Sequence, residues 1–218
     1  MRRFPVFDAW AARARARLAQ ALRARGATPN GLSWAGTGFA ALAALMFYFA
    51  LRDPPRYGAA LLLLAVLGLQ GRLLCNRLDG LMAKQARMIG RAGEVYNEAP
   101  DRLSDVLVCL GLGYGLQQSL DWGAQLGWAA ALLCVGTAYV RMLGLACGVR
   151  EPAQGPMARA QRMQWLSLAA LLAAAALLPG RAAWAETILV AALALLSAGA
   201  AVTIVLRLRA VVRELESR

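Results

Sequence analysis

The sequence predicts an all-α integral membrane protein: six transmembrane helices preceded by an N-terminal amphipathic interfacial helix. Three observations predict it. The chain is 60% apolar with a mean hydropathy of +0.50, above the roughly 45–50% apolar content of a soluble domain. Its apolar residues fall in six long segments, each near the roughly 20 residues that a helix needs to cross the hydrocarbon core. When those segments are threaded through a bilayer, the basic residues of the connections gather on one side.

Residues 1–30 read as a cytoplasmic amphipathic juxtamembrane segment. Phe7, Trp10, Ala11, Ala14, Leu18, Ala21 and Leu22 recur at three- and four-residue spacings with arginines between them, the pattern of a helix lying along the interface. A topology anchor without further role accounts for the pattern equally well. No cleavable signal peptide is expected, because Met1–Arg25 lacks a continuous apolar core. Residues 31–218 read as one six-helix transmembrane domain with spans at Ser33–Leu51, Tyr57–Ala83, Val95–Leu116, Trp122–Ala146, Met163–Leu178 and Trp184–Leu206. The fifth is short unless its polar start is counted. Turn chemistry separates them: Asp53-Pro54-Pro55, Lys84 to Gly93, Gln118 to Asp121, the stretch around Pro152 and Pro156, and Pro179-Gly180. Gly111xxxGly115 and the alanine-rich last two spans allow close helix packing.

Arginines before the first span, Lys84, Arg87 and Arg91, then Arg150, Arg159 and Arg162, and the C-terminal Arg207 to Arg218 fall on one side. The opposite loops hold Arg52, Arg56 and Arg181. The positive-inside rule then puts both termini in the cytoplasm, and a bacterial inner membrane is the expected location. A pI near 10.9 in so apolar a chain points to anionic membrane lipids as partners and not to nucleic acid. The four cysteines, Cys75, Cys109, Cys134 and Cys147, lie in apolar runs or at their edges and read as buried apolar side chains. The chain has no histidine, which excludes Ser-His-Asp and Cys-His catalysis and HExxH zinc chemistry.

Chemistry must then run on carboxylates, amides, hydroxyls and a bound metal, and these concentrate in one stretch. From Arg72 to Asp105 the chain carries Arg72, Asn76, Arg77, Asp79, Lys84, Asn97, Glu98, Asp101, Arg102 and Asp105, costly groups at membrane depth unless they face partners or a cavity. Asn76 and Asp79 share a helix face at the cytoplasmic end of the second span. Asn97, Asp101 and Asp105 share another at the same end of the third, with Glu98 on its flank. The short connection predicts that these two helices are neighbours whose oxygen donors converge. Such donors suit a hard cation, Mg²⁺, Mn²⁺ or Ca²⁺. The alternative is that Arg72, Arg77 and Arg102 pair with the acids as intramembrane salt bridges.

These residues carry a resemblance to the CDP-alcohol phosphotransferase family. That family's signature is DxxDGxxAR, eight residues, then GxxxDxxxD. Here the stretch runs Asn76, Asp79, Gly80, Ala83 and Lys84, then eight residues, then Gly93, Asn97 and Asp101, with every gap kept. Thr28-Pro29-Asn30 is similar to the family's lead into its first helix, with threonine as N-cap and proline at the first helical position. Tyr139-Val140-Arg141 and Gly155 to Arg162 look like its fourth-to-fifth span region. The resemblance implies a membrane enzyme that binds a CDP-linked alcohol, typically CDP-diacylglycerol, moves its substituted phosphate to a small alcohol and releases CMP. It implies Mg²⁺ or Mn²⁺ as cofactor and a homodimer. Carried over, Asp79 is a metal ligand with Asn76 and Asn97, Asp101 is the general base, Gly80, Ala83 and Gly93 leave room for the nucleotide, and Lys84 is a point charge near phosphate in place of the family arginine. Arg141, Arg159 and Arg162 are candidates for an anionic group on the acceptor, with lipid headgroups as their other expected partner.

Two signature aspartates are asparagines here, Asn76 and Asn97. Glu98 and Asp105 supply the missing carboxylates in one reading. A single metal, or a degenerate site that only binds nucleotide-lipid or scaffolds other proteins, are the others. A cation transporter fits less well, because the acids lie at one end of the spans with no counterpart across the bilayer.

Overall fold

A computed structural model describes residues 5–86, 93–149 and 155–217. The described chain is all-helical: α1 (Pro5–Ala24), α2 (Pro29–Ala50), α3 (Ala59–Ala86), α4 (Gly93–Leu116), α5 (Gly123–Ala146), α6 (Arg159–Leu177) and α7 (Ala182–Glu216), with a π-helical turn at Pro54–Gly58 between α2 and α3. Thr28 caps α2 as expected: its Oγ1 accepts from the Gly31 N–H at 3.1 Å, and Pro29 opens the helix. Gly148 and Gly180 close α5 and α6 with positive φ, the left-handed turn that returns N–H groups to the last carbonyls. Gly180 N–H reaches the Leu177 carbonyl at 2.9 Å, and Arg181 N–H reaches that of Ala176 at 3.1 Å.

Six of the helices form a closed ring. α2 packs on α3 and α4, α4 on α5, α5 on α7, α7 on α6, and α6 back on α3. The expectation that the second and third predicted spans are neighbours is thereby corrected, since α2 lies between α3 and α4 in the ring. Small residues set how closely the helices approach. A Cβ on Gly113 would lie 2.6 Å from Gly127 Cα on α5, and one on Gly115 would lie 2.9 Å from the Phe47 carbonyl oxygen on α2. Gly111 is pressed against Ala44 of α2 in the same way. The Gly111xxxGly115 pair therefore serves packing inside the chain. Phe47, Leu62, Leu69, Leu112, Leu116, Met163, Leu166, Leu189 and Leu193 fill the core. Near one end Ala19 of α1 packs with Leu32, Leu78 and Met82, joined by the partly buried Leu22, which docks α1 on α3.

Leu42, Leu45, Leu63, Leu67, Leu132, Leu171, Leu172 and Leu195 point outward and are exposed, as suits contact with acyl chains. Among the described residues, four helical stretches are long and apolar enough to cross a membrane: Pro29–Ala50, Arg56–Ala83, Gly123–Ala146 and Ala182–Glu216. Together these features are those of an integral membrane protein. α4 and α6 complete the ring but start with charged turns, Glu98 to Asp105 and Arg159 to Arg162, which lowers their apolarity. Cys75, Cys109 and Cys134 are buried, whereas Cys147 is exposed. That corrects the expectation for the fourth cysteine, which sits at the C-cap of α5 beyond the packed surface.

Candidate functional site

Five helices deliver polar side chains to one end of the ring. On α3, Arg72, Asn76 and Asp79 stand at i, i+4 and i+7, one face of a helix. α4 adds Glu98, Asp101, Arg102 and Asp105, α5 adds Thr137 and Arg141, α6 adds Arg159 and Arg162, and α7 adds Arg207. The convergence of α3 and α4 expected from spacing is present, although it takes place through long side chains and not through packed backbones.

Asp101 is the hub. Its Oδ1 accepts from Arg72 Nη2 at 2.5 Å and from Asn76 Nδ2 at 3.4 Å, and Arg159 pairs with its Oδ2. Asp105 is completely buried and its Oδ2 accepts from Arg162 Nη2 at 2.6 Å, with Arg102 at 3.7 Å. Arg162, itself only 2% exposed, also donates to Thr137 Oγ1 at 3.1 Å and to the Met157 carbonyl at 3.0 Å. Glu98 pairs with Arg102 and Arg159, both at 3.3 Å, and with Arg141. Asp79 stands apart: Ser33 Oγ of α2 donates to its Oδ2 at 2.8 Å. Thr37 and Ser104 close the α2–α4 side, both donating to the Pro100 carbonyl, at 3.1 and 2.7 Å.

Beside this network lies a cavity of about 670 Å³ lined by Asn76, Arg77, Glu98, Arg102, Thr137, Arg141, Arg159, Arg162 and Arg207, with Leu73, Ala138, Leu145, Ala158 and Ala160 as its apolar walls. Arginines thus outnumber the one lining carboxylate. Guanidiniums grouped around one cavity have the chemistry that suits phosphate-bearing ligands. The three acceptor-site candidates, Arg141, Arg159 and Arg162, line this one cavity. Arg77, Thr137 and Arg207 are additions from the structure. Arg207 is mostly buried, donates to the Thr137 carbonyl at 2.6 Å, and enters no ion pair among the described residues. Its place at the end of the last span reads in sequence as a topology anchor, and Thr137 is visible only as an isolated hydroxyl in an apolar run.

The remaining candidates fall as follows. Gly80 has no described atom within 4 Å of where a Cβ would stand, so no described helix packs on it. Ala83 is half-buried, and Gly93 is the first residue of α4. The side chains of Lys84 and Asn97 lie outside the described residues.

The described carboxylates, as they are paired here, do not form a divalent-metal site. Among the described residues no three His, Cys, Asp or Glu side chains are placed to hold one ion together. Asp101 and Asp105 are held by guanidiniums, Glu98 by three of them, and Asn76 turns its N–H, not its oxygen, toward Asp101. The salt bridges weighed against a metal are thus present, made by Arg72 and Arg102 as expected and by Arg141, Arg159 and Arg162 as well, whereas Arg77, expected to join them, lines the cavity without an ion pair to these acids among the described residues. Glu98 and Asp105, expected to restore metal-binding charge, are among the acids so paired.

No protein-family model and no curated protein matches the chain by sequence. Solved structures match it by fold. Phosphatidylinositol phosphate synthase of Mycobacterium tuberculosis with CDP-DAG bound aligns at a TM-score of 0.74 and 22% identity, covering 91% of this chain and 94% of that one. The same enzyme in complex with manganese and citrate aligns at 0.73 and 22% identity, over 90% and 88%. Its apo form aligns at 0.66 and 22% identity, over 89% and 94%. The chain's structural neighbours are thus structures of a CDP-alcohol phosphotransferase family member, whose fold it shares.

Proposed function

We propose that this chain is a membrane transferase that takes a phosphatidyl or similar substituted phosphate from CDP-diacylglycerol or a related CDP-alcohol, passes it to a small alcohol and releases CMP, as a step of phospholipid synthesis. The observation that carries this reading is the arginine-lined cavity beside Asp101. A pyrophosphate needs fixed cations, and an acceptor needs a carboxylate at the same place. The gaps of the signature and the fold of a CDP-DAG-binding neighbour support it.

The acceptor oxygen attacks the phosphorus joined to the lipid, its proton passes to Asp101, and the bond to the CMP phosphate breaks. Arg159 is the pivot. It pairs with both Asp101 and Glu98, so the incoming anionic group of the acceptor draws it off Asp101 and frees Oδ2 to accept the proton. Gly80, Ala83, Gly93 and Lys84 border the nucleotide. Arg141, Arg159 and Arg162 hold an anionic group on the acceptor, with Arg207 behind them. In this reading α2 to α7 are six spans forming a domain over residues 31–218. Residues 1–30 lie along the cytoplasmic face of a bacterial inner membrane, the termini and the site face the cytoplasm, and two copies associate.

Purified protein in detergent, given CDP-diacylglycerol and a panel of glycerol 3-phosphate, serine, inositol, inositol phosphate and choline, tests this by CMP release. Acceptor-dependent release that Asp101→Asn abolishes supports the transferase. Asn76 and Asn97 favour a second reading, a non-catalytic member that holds nucleotide-lipid. Silence across the panel with CDP-lipid binding retained selects it.

A further inference from the structure

We infer that this chain balances the carboxylates of Asp101 and Asp105 with its own guanidinium groups, Arg72 and Arg159 on Asp101 and Arg162 on Asp105, and that it has no metal requirement. Three observations converge on it. Both oxygens of Asp101 face donors: Oδ1 meets Arg72 at 2.5 Å and Asn76 at 3.4 Å, and Oδ2 meets Arg159. A divalent ion on that carboxylate would sit against two fixed positive charges in a setting of low dielectric, where like charges repel strongly.

The second observation is chemical. Asn76 donates to Asp101, which an aspartate cannot do when ionised, because a carboxylate is acceptor-only. A carboxylate at position 76 would stand beside the Asp101 carboxylate and call for an added cation, whereas the amide makes a bond that needs none. Arg72 stands one turn before Asn76 on the same face of α3, so the amide and the guanidinium act together on one oxygen. The third observation is burial. Arg72 and Arg162 are each 2% exposed, and arginine keeps its charge in such places, where a lysine would tend to lose its proton. These side chains are cations tethered to the chain itself.

The electrostatic part stands on this geometry alone, while its use in phosphate transfer rests on the function proposed above. In that use Arg159 exchanges a carboxylate for a substrate phosphate through parallel N–H donors, as guanidinium groups do with either anion.

Manganese titration of the purified full chain, with free Mn²⁺ read by electron paramagnetic resonance, tests the inference without reference to activity. The wild type is expected to leave the free-ion signal unchanged, with no site tighter than about millimolar. Arg72→Leu combined with Asn76→Asp and Asn97→Asp is expected to create a site at least about tenfold tighter. Micromolar binding by the wild type overturns the inference, and so does a folded triple variant that binds no better. A triple variant that does not fold leaves the wild-type titration to decide. Binding of CMP in EDTA, measured in parallel by calorimetry, separates the two claims. Loss of CMP binding with no Mn²⁺ site removes the proposed function and leaves the charge balance standing, whereas a Mn²⁺ site beside intact CMP binding does the reverse.

Discussion

Replacing Arg162 by methionine is the perturbation whose size the structure fixes best. The side chain is almost wholly buried and its partner Asp105 completely so, with 2.6 Å between them. Breaking a buried pair by removing one member typically costs about 3–5 kcal/mol, because the remaining charge is left without compensation. Two further hydrogen bonds disappear, to Thr137 at 3.1 Å and to the Met157 carbonyl at 3.0 Å, each worth about 0.5–1.5 kcal/mol. Arg102 stays 3.7 Å from the same carboxylate oxygen and offsets part of the loss, so Arg162→Met is expected to destabilise by about 4 kcal/mol. Adding Asp105→Leu removes the stranded charge and returns the protein to within about 2 kcal/mol of wild type. The assay is unfolding by sodium dodecyl sulfate in mixed micelles, followed by tryptophan fluorescence and analysed as a double-mutant cycle. A single variant that loses less than about 1 kcal/mol, or a double variant that loses the sum of both singles, refutes the claim that this pair is closed and coupled.

Gly113→Ala places a methyl group 2.6 Å from Gly127 Cα and is expected to lower stability by about 1–3 kcal/mol in the same unfolding assay. Gly80→Ala meets nothing, so it is expected to raise helix stability by about 0.5–1 kcal/mol while weakening CDP-lipid binding, read by calorimetry. Equal binding by this variant removes Gly80 from the nucleotide wall. Arg141→Ala is expected to raise the acceptor KM about tenfold or more and leave that of the CDP-lipid near its original value, as loss of a charge-assisted bond to the acceptor would. The reverse pattern in initial-rate kinetics moves Arg141 to the nucleotide side. Glu98→Gln, by releasing Arg141 and Arg159 from a shared carboxylate, is expected to tighten binding of inorganic phosphate severalfold in competition with CMP.

Much of the architecture is written locally in the chain and is therefore legible. The Thr28-Pro29 cap, the apolar segments and the breaks between them depend on near neighbours, and α2 to α6 start and stop close to the predicted spans. α7 runs ten residues past Leu206 because the segment from Arg207 on, apart from Val211 and Val212, consists of good helix formers. A fall in hydropathy marks a membrane boundary and not a helix end. The ring order was not legible: a short connection favours adjacency, yet Gly111 and Gly115 draw α2 into the place beside α4. The acids could be placed on shared faces from their spacing. Which cation each meets depends on Arg141, Arg159 and Arg162, which arrive from two other helices and carry no local sign of their partners.

The closed ring has a consequence for how the protein is made. α6 joins α3 to α7, so closure waits for the last third of the chain to leave the ribosome. When α4 is made it brings Asp101 and Asp105, and only Arg72, Arg102 and the residues already synthesised can compensate them. Arg159, Arg162 and Arg207 follow later. A chain truncated after α5 would hold Asp105 at membrane depth without its strongest partner, a state that is costly in hydrocarbon and open to degradation. The polar centre is thus complete only when α6 has joined α3 and α4, since Arg159 and Arg162 bring the last partners of Asp101 and Asp105.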